Sequence, residues 1–125
     1  GTPISAETAH TLTTMLVNSL ENEASSALVE GYSLAGKTGT GEIATPLGYT
    51  NTSTNTSFVG WGPAEDPKFL VYIWLEKPEI SIWGSEVAAP VFSDLVSDLV
   101  VLMTIPPDNV RLAEKPGNNS LVILE

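Results

Sequence analysis

The residues best suited to chemistry in this 125-residue chain fall in one hexapeptide, Gly36-Lys37-Thr38-Gly39-Thr40-Gly41. Lys37 offers a point positive charge, and Thr38 and Thr40 offer hydroxyls. The glycines let a ligand lie close to the strand, where main-chain N–H groups can donate. Together these groups suit an anion held against exposed backbone. The chain has 5 basic and 15 acidic residues, a net charge of −10. A lysine isolated among glycine and threonine in such a chain is poorly explained as a solubilising charge.

Other chemistry-bearing types are scarce. With no cysteine, disulfide frameworks, cysteine–zinc sites, iron–sulfur clusters and a cysteine nucleophile are all excluded. His10 is the single histidine, which leaves no cluster for a metal and no Ser–His relay elsewhere. It falls off the apolar stripe of its segment and reads as a solvated surface residue. Neither a metal nor an organic cofactor is called for. The acidic charge repels phosphate backbones, which argues against nucleic acid as a partner. No run approaches the ~20 apolar residues of a membrane span, since residues 87–103 are broken by Asp94, Ser97 and Asp98.

Two readings compete for Lys37. The stretch Gly31-Tyr32-Ser33-Leu34-Ala35-Gly36-Lys37-Thr38 spells a phosphate-loop pattern, which needs a helix opening at the lysine. Gly39-Thr40-Gly41 follows instead, and glycine with β-branched threonine is poor helix. A nucleotide-binding fragment is therefore the weaker reading, and a strand carrying Lys37 the stronger one.

The surrounding elements must position that strand. Residues 4–20 predict a helix with Ser5 as N-cap, Ile4 as a staple, and Ala9, Leu12, Leu16 and Leu20 as its stripe. Residues 21–31 read as a polar connector with a short helical turn, and 32–42 as the strand. The run 45–56, uncharged and rich in threonine, asparagine and serine, predicts a surface loop or a flap beside the site. Residues 57–62 and 68–76 predict a hairpin joined by Pro63-Ala64-Glu65-Asp66-Pro67. Its second strand is apolar on both faces and is expected at the sheet centre. A helix follows from 87 or 90 to 103, with Pro90 in its first turn and Phe92, Leu95, Val96, Leu99 and Met103 buried. Pro106-Pro107 stops it. A small hairpin around Pro116-Gly117-Asn118-Asn119 is expected in the tail. The order predicts an α+β fold, with an antiparallel sheet of about three strands packed against helices. So thin a sheet implies partner elements beyond this chain, and its open edge is a template for pairing with a second copy.

The lysine–threonine–glycine strand resembles the third signature of the penicillin-binding proteins and serine β-lactamases. Leu34-Ala35-Gly36-Lys37-Thr38-Gly39-Thr40 is most similar to that strand in the class B penicillin-binding proteins, the monofunctional D,D-transpeptidases. Ser57-Phe58-Val59-Gly60-Trp61-Gly62-Pro63-Ala64 with Asp66-Pro67-Lys68-Phe69 resembles the family's next hairpin, and Val87-Ala88-Ala89-Pro90-Val91-Phe92 the start of its last helix. The helix of residues 4–20 resembles the one preceding the triplet strand. The resemblance runs in order over residues 4–107. It implies that 1–107 is the C-terminal part of a transpeptidase domain, a fragment of the β-lactamase/transpeptidase-like fold, and that 108–125 is a tail. A related β-lactamase or penicillin-sensing receptor would share the triplet, but residues 45–56 and 87–92 favour the transpeptidase.

What the resemblance implies is serine acyl transfer. A serine attacks the D-Ala–D-Ala amide of a peptidoglycan stem peptide, and the acyl group passes to an amine on a neighbouring stem. β-Lactams acylate the same serine. Lys37 is expected beside the serine of the second signature and the substrate carboxylate, which Thr38 and Thr40 bind. The Thr40 N–H is expected to be one of two oxyanion donors, and Gly39 lets the acyl group lie against the strand. The family's Ser-x-x-Lys nucleophile motif occurs nowhere here, and nothing upstream of Lys37 spells Ser-x-Asn. This chain alone is therefore expected to be inert and to need the remainder of its domain. Asn22-Glu23-Ala24 also stands where relatives often carry Gly-Thr-Ala. The implied location is the extracytoplasmic face of a bacterial membrane, held by an N-terminal anchor outside these residues. From a different class, a non-catalytic peptide- or protein-binding module remains the alternative.

Overall fold

The computed structural model describes residues 1–46 and 48–113, apart from the side chains of 50 and 51. Helix α1, Ala6–Glu23, opens as predicted: the Ser5 hydroxyl oxygen accepts the Thr8 N–H at 3.1 Å. It runs three residues past the predicted end and closes where the Ala24 N–H meets the Leu20 carbonyl. Only Leu20 of its predicted stripe is fully buried, and Leu12 is 44% exposed. A 3-10 turn, Ser25–Ala27, then buries Ala27 and leads towards the sheet.

Three antiparallel strands follow in the order β1-β2-β3: β1 (Ala35–Thr45), β2 (Gly48–Gly62) and β3 (Phe69–Glu76). β1 starts three residues later than expected and continues to Thr45. The expected loop of 45–56 is largely strand, since residues 48–56 form the first part of β2 and pair back onto β1. Composition misled here because threonine is polar yet β-branched, and its strand fitness comes from packing on the pleat. Thr54 and Thr56 are buried, and the Thr54 hydroxyl donates to the Ile82 carbonyl at 2.7 Å. A register shift between Glu42 and Ile43 marks a bulge in the outer part of this hairpin.

β3 lies at the sheet edge and not at its centre. Its burial alternates, with Leu70, Tyr72 and Trp74 exposed and Phe69, Val71, Ile73 and Leu75 half-buried. Among the described residues only one face of β3 is covered, by helix α2 (Gly84–Leu102). That helix starts earlier than predicted, and Pro90 falls inside it rather than in its first turn. Phe92, Val96 and Val100 are buried at four-residue spacing, whereas Leu95 and Met103 are exposed. The buried set thus differs from the predicted one, because Val87, Ala88 and Ala89 are also buried.

Phe58 and Phe92 form the centre of the core, tilted 44° with ring centroids 4.6 Å apart. Both are fully buried, each worth about 1.5–3 kcal/mol in removed apolar surface. Gly60 makes this possible: a Cβ there would meet the Phe92 ring at 2.6 Å. No helix among the described residues is long and apolar enough to cross a membrane.

The start of the expected tail is helical, α3 (Asp108–Ala113). It is fastened to the body: the Asp108 carboxylate accepts the Ser33 N–H, and the Asp108 N–H donates to the Gly31 carbonyl, both at 2.8 Å. Arg111 bridges Asp108 at 2.7 Å and Glu65 in the β2–β3 turn at 2.9 Å. The hairpin expected around Pro116-Gly117-Asn118-Asn119 lies outside the described residues.

Candidate functional site at the edge of β1

β1 has β2 on one side and no strand on the other among the described residues. Alternate backbone groups of its outer edge therefore point away from the sheet. The register fixes which residues share a face. Lys37 stands opposite Val59, and Val59 opposite Tyr72; Gly39 stands opposite Ser57, and Ser57 opposite Trp74. Thr38 and Thr40 lie on the other face, in rows with Phe58 and Ile73, and with Thr56 and Leu75.

The two faces meet at the strand edge. The Lys37 ammonium lies 3.4 Å from the Thr38 hydroxyl oxygen, and the lysine side chain is 50% exposed. The N-terminus of α2 approaches the same place, with the Gly84 N–H directed at the Thr40 hydroxyl oxygen at 3.5 Å. Gly84 is required for that approach. A Cβ there would meet the Ser57 carbonyl oxygen at 2.8 Å and that of Gly39 at 2.9 Å. Thr40, Glu42, Thr54, Ile82 and Trp83 line an adjacent cavity of about 420 Å³.

Of the expected site residues, the structure brings the Lys37 ammonium against the Thr38 hydroxyl, whereas Gly39 and Thr40 follow on the same strand, with the Thr40 hydroxyl turned to the start of α2. No helix opens at Lys37, since β1 continues to Thr45, and this removes the phosphate-loop reading. The one Ser-x-Asn spelling in the chain, Ser53-Thr54-Asn55, follows the triplet and lies within β2, opposite residues of β1.

Two participants went unnoticed in the sequence. Glu23, the last residue of α1, places its Oε2 3.1 Å from the Lys37 ammonium. Ser19, one turn earlier, donates to that same oxygen at 3.0 Å. The hydrogen bond from Lys37, then that from Ser19, and the lysine's charge hold the Glu23 carboxyl below the usual carboxylate range. The four-residue spacing of Ser19 and Glu23 hints at their pairing within the helix. Nothing in the sequence links either to Lys37, because that contact depends on how α1 lies along β1.

Fold and site together describe an α+β unit that presents a lysine–threonine–glycine strand at its sheet edge. The chain belongs to the family of penicillin binding protein transpeptidase domains, whose family model matches residues 1–97. It is 40% identical over 86 residues to the probable peptidoglycan D,D-transpeptidase PbpC of Pseudomonas aeruginosa, covering 68% of this chain and 15% of that protein. Among solved structures, the apo transpeptidase domain of Burkholderia pseudomallei penicillin-binding protein 3 superposes with a TM-score of 0.77 and 31% identity. That match covers 84% of this chain and 33% of the other. Penicillin-binding protein 3 of Mycobacterium tuberculosis, complexed with ampicillin, gives a TM-score of 0.71 at 26% identity, over 91% of this chain and 27% of that one.

Proposed function

We propose that residues 1–107 are the C-terminal part of the transpeptidase domain of a D,D-transpeptidase that cross-links peptidoglycan stem peptides at the extracytoplasmic face of a bacterial membrane. The observation that carries this reading is the half-exposed Lys37 ammonium on an open-edged strand, beside the Thr38 hydroxyl. The reaction is acyl transfer from a D-Ala–D-Ala stem to a serine that the rest of the domain supplies, and then to an amine of a second stem. Lys37 places positive charge next to the substrate carboxylate, and Thr38 and Thr40 donate to it. The Thr40 N–H serves as one donor to the oxyanion of the tetrahedral intermediate. Gly39 leaves room for the acyl group along the strand. β-Lactams enter the same groove, a reading supported by the ampicillin complex of the mycobacterial relative.

Labelled penicillin tests this. The full-length protein is expected to be acylated, and Lys37→Ala to slow acylation by roughly 10²-fold, the scale of losing one preorganised electrostatic contact. The 125-residue chain by itself is expected to remain unlabelled, since it holds no Ser-x-x-Lys. Unchanged acylation of the Lys37→Ala protein, or stable labelling of the isolated chain, overturns the assignment.

A further inference from the structure

We propose that Glu23 is a specificity-determining residue: a resident counter-ion for Lys37 that a ligand's carboxylate must displace or share. This rests on the reading of Lys37 as the anchor for that carboxylate. Glu23 Oε2 is 3.1 Å from the Lys37 ammonium, and both side chains are half-exposed or more at the strand edge. Among the described residues the pair is thus open to solvent at the same edge that the proposed function gives to the ligand.

Glu23 is held there against its local helix. It ends α1, whose last turn has no basic residue, and a carboxylate at a helix C-terminus faces the negative end of the backbone dipoles. Lys37 and Ser19 offset this repulsion by donating to the same oxygen. The depressed carboxyl titration of Glu23 agrees with a charge kept in place by those two donors. An arriving carboxylate meets an ammonium already engaged and a second anion a few ångströms away. Among the described residues, Lys68 and Arg111 are engaged elsewhere, with Asp66 and with Glu65 and Asp108.

An exposed ion pair is weak, so Glu23 attenuates anionic ligands without excluding them. Losing it is expected to matter only for ligands that carry the charge. In the full-length protein, Glu23→Gln keeps the side-chain size and should raise the acylation rate of benzylpenicillin by about two- to five-fold at low ionic strength. The gain should shrink at 0.5 M salt, where the Debye length falls to a few ångströms. Benzylpenicillin methyl ester, which lacks the carboxylate, should react with both proteins at equal rates. The proposal fails if Glu23→Gln leaves the benzylpenicillin rate unchanged or lowers it, or if the ester gains equally. Absence of acylation of the wild-type protein by either compound instead removes the transpeptidase reading, and this inference with it.

Discussion

Lys37 and Glu23 are coupled, and the coupling has a defined pH signature. The folded-state carboxyl of Glu23 titrates below its ordinary value because Lys37 and Ser19 donate to it. Whatever stability the pair contributes is therefore fully present above the ordinary glutamate range, and is lost as pH falls through the lowered folded value. Lys37→Met should raise the Glu23 titration midpoint towards its ordinary value and flatten this part of the stability profile. Carboxyl ¹³C chemical shifts followed against pH measure the first, and urea unfolding at several pH values the second. A Glu23 midpoint unmoved by Lys37→Met would show that Ser19 alone holds the carboxylate. At Gly84 the constraint is steric. Gly84→Ala forces α2 away from the Ser57 and Gly39 carbonyls and should cost about 1–3 kcal/mol in urea unfolding, as overpacking does.

Among the elements, the hairpin of β1 and β2 decides the shape of the site. Its inner half was legible, because Ser57-Phe58-Val59-Gly60-Trp61-Gly62 and the glycine-flanked Lys37 both read as strand. The outer half was not, because Thr54 and Thr56 resemble loop residues until α2 and the Ile82 carbonyl bury them. For the same reason β3 was misplaced: Leu70, Tyr72 and Trp74 are apolar, but whether a second layer covers them depends on elements a strand's own residues do not specify. Helix α2 is legible but its buried face is not, since the small Ala88 and Ala89 are fully buried where the longer Leu95 is exposed. Of the site, the triplet itself was visible and Glu23 was not. The Thr56 hydroxyl is buried with no hydrogen-bond partner among the described residues. Thr56→Val keeps the branched shape and should stabilise the chain by about 1 kcal/mol. Phe92→Ala should destabilise it by about 3–5 kcal/mol, the usual range for a buried phenylalanine. Denaturation midpoints at constant slope report both.

For the whole molecule, two features oppose each other. β1 and β3 both leave an outer edge unpaired among the described residues, and exposed edges template association. Against this stands a net charge of −10, whose repulsion reaches about 10 Å at 0.1 M salt and less at higher salt. The isolated chain should therefore be monomeric in dilute buffer and should self-associate as salt rises, which sedimentation velocity would resolve. Tyr72→Lys, adding a charge to the exposed face of β3, should delay that association; a monomer at every salt concentration would show that the edges are protected by other means.

The ties made by Asp108 and Arg111 bear on where this polypeptide can be cut. The family match ends at residue 97, yet Gly31, Ser33 and Glu65 are joined to Asp108 and Arg111 beyond it. A shortened version stopping at the recognised boundary would leave the Ser33 amide without its carboxylate, four residues before Lys37. Anyone trimming the protein for crystallisation or screening should keep the chain through at least Ala113, or accept a loosened approach to the triplet.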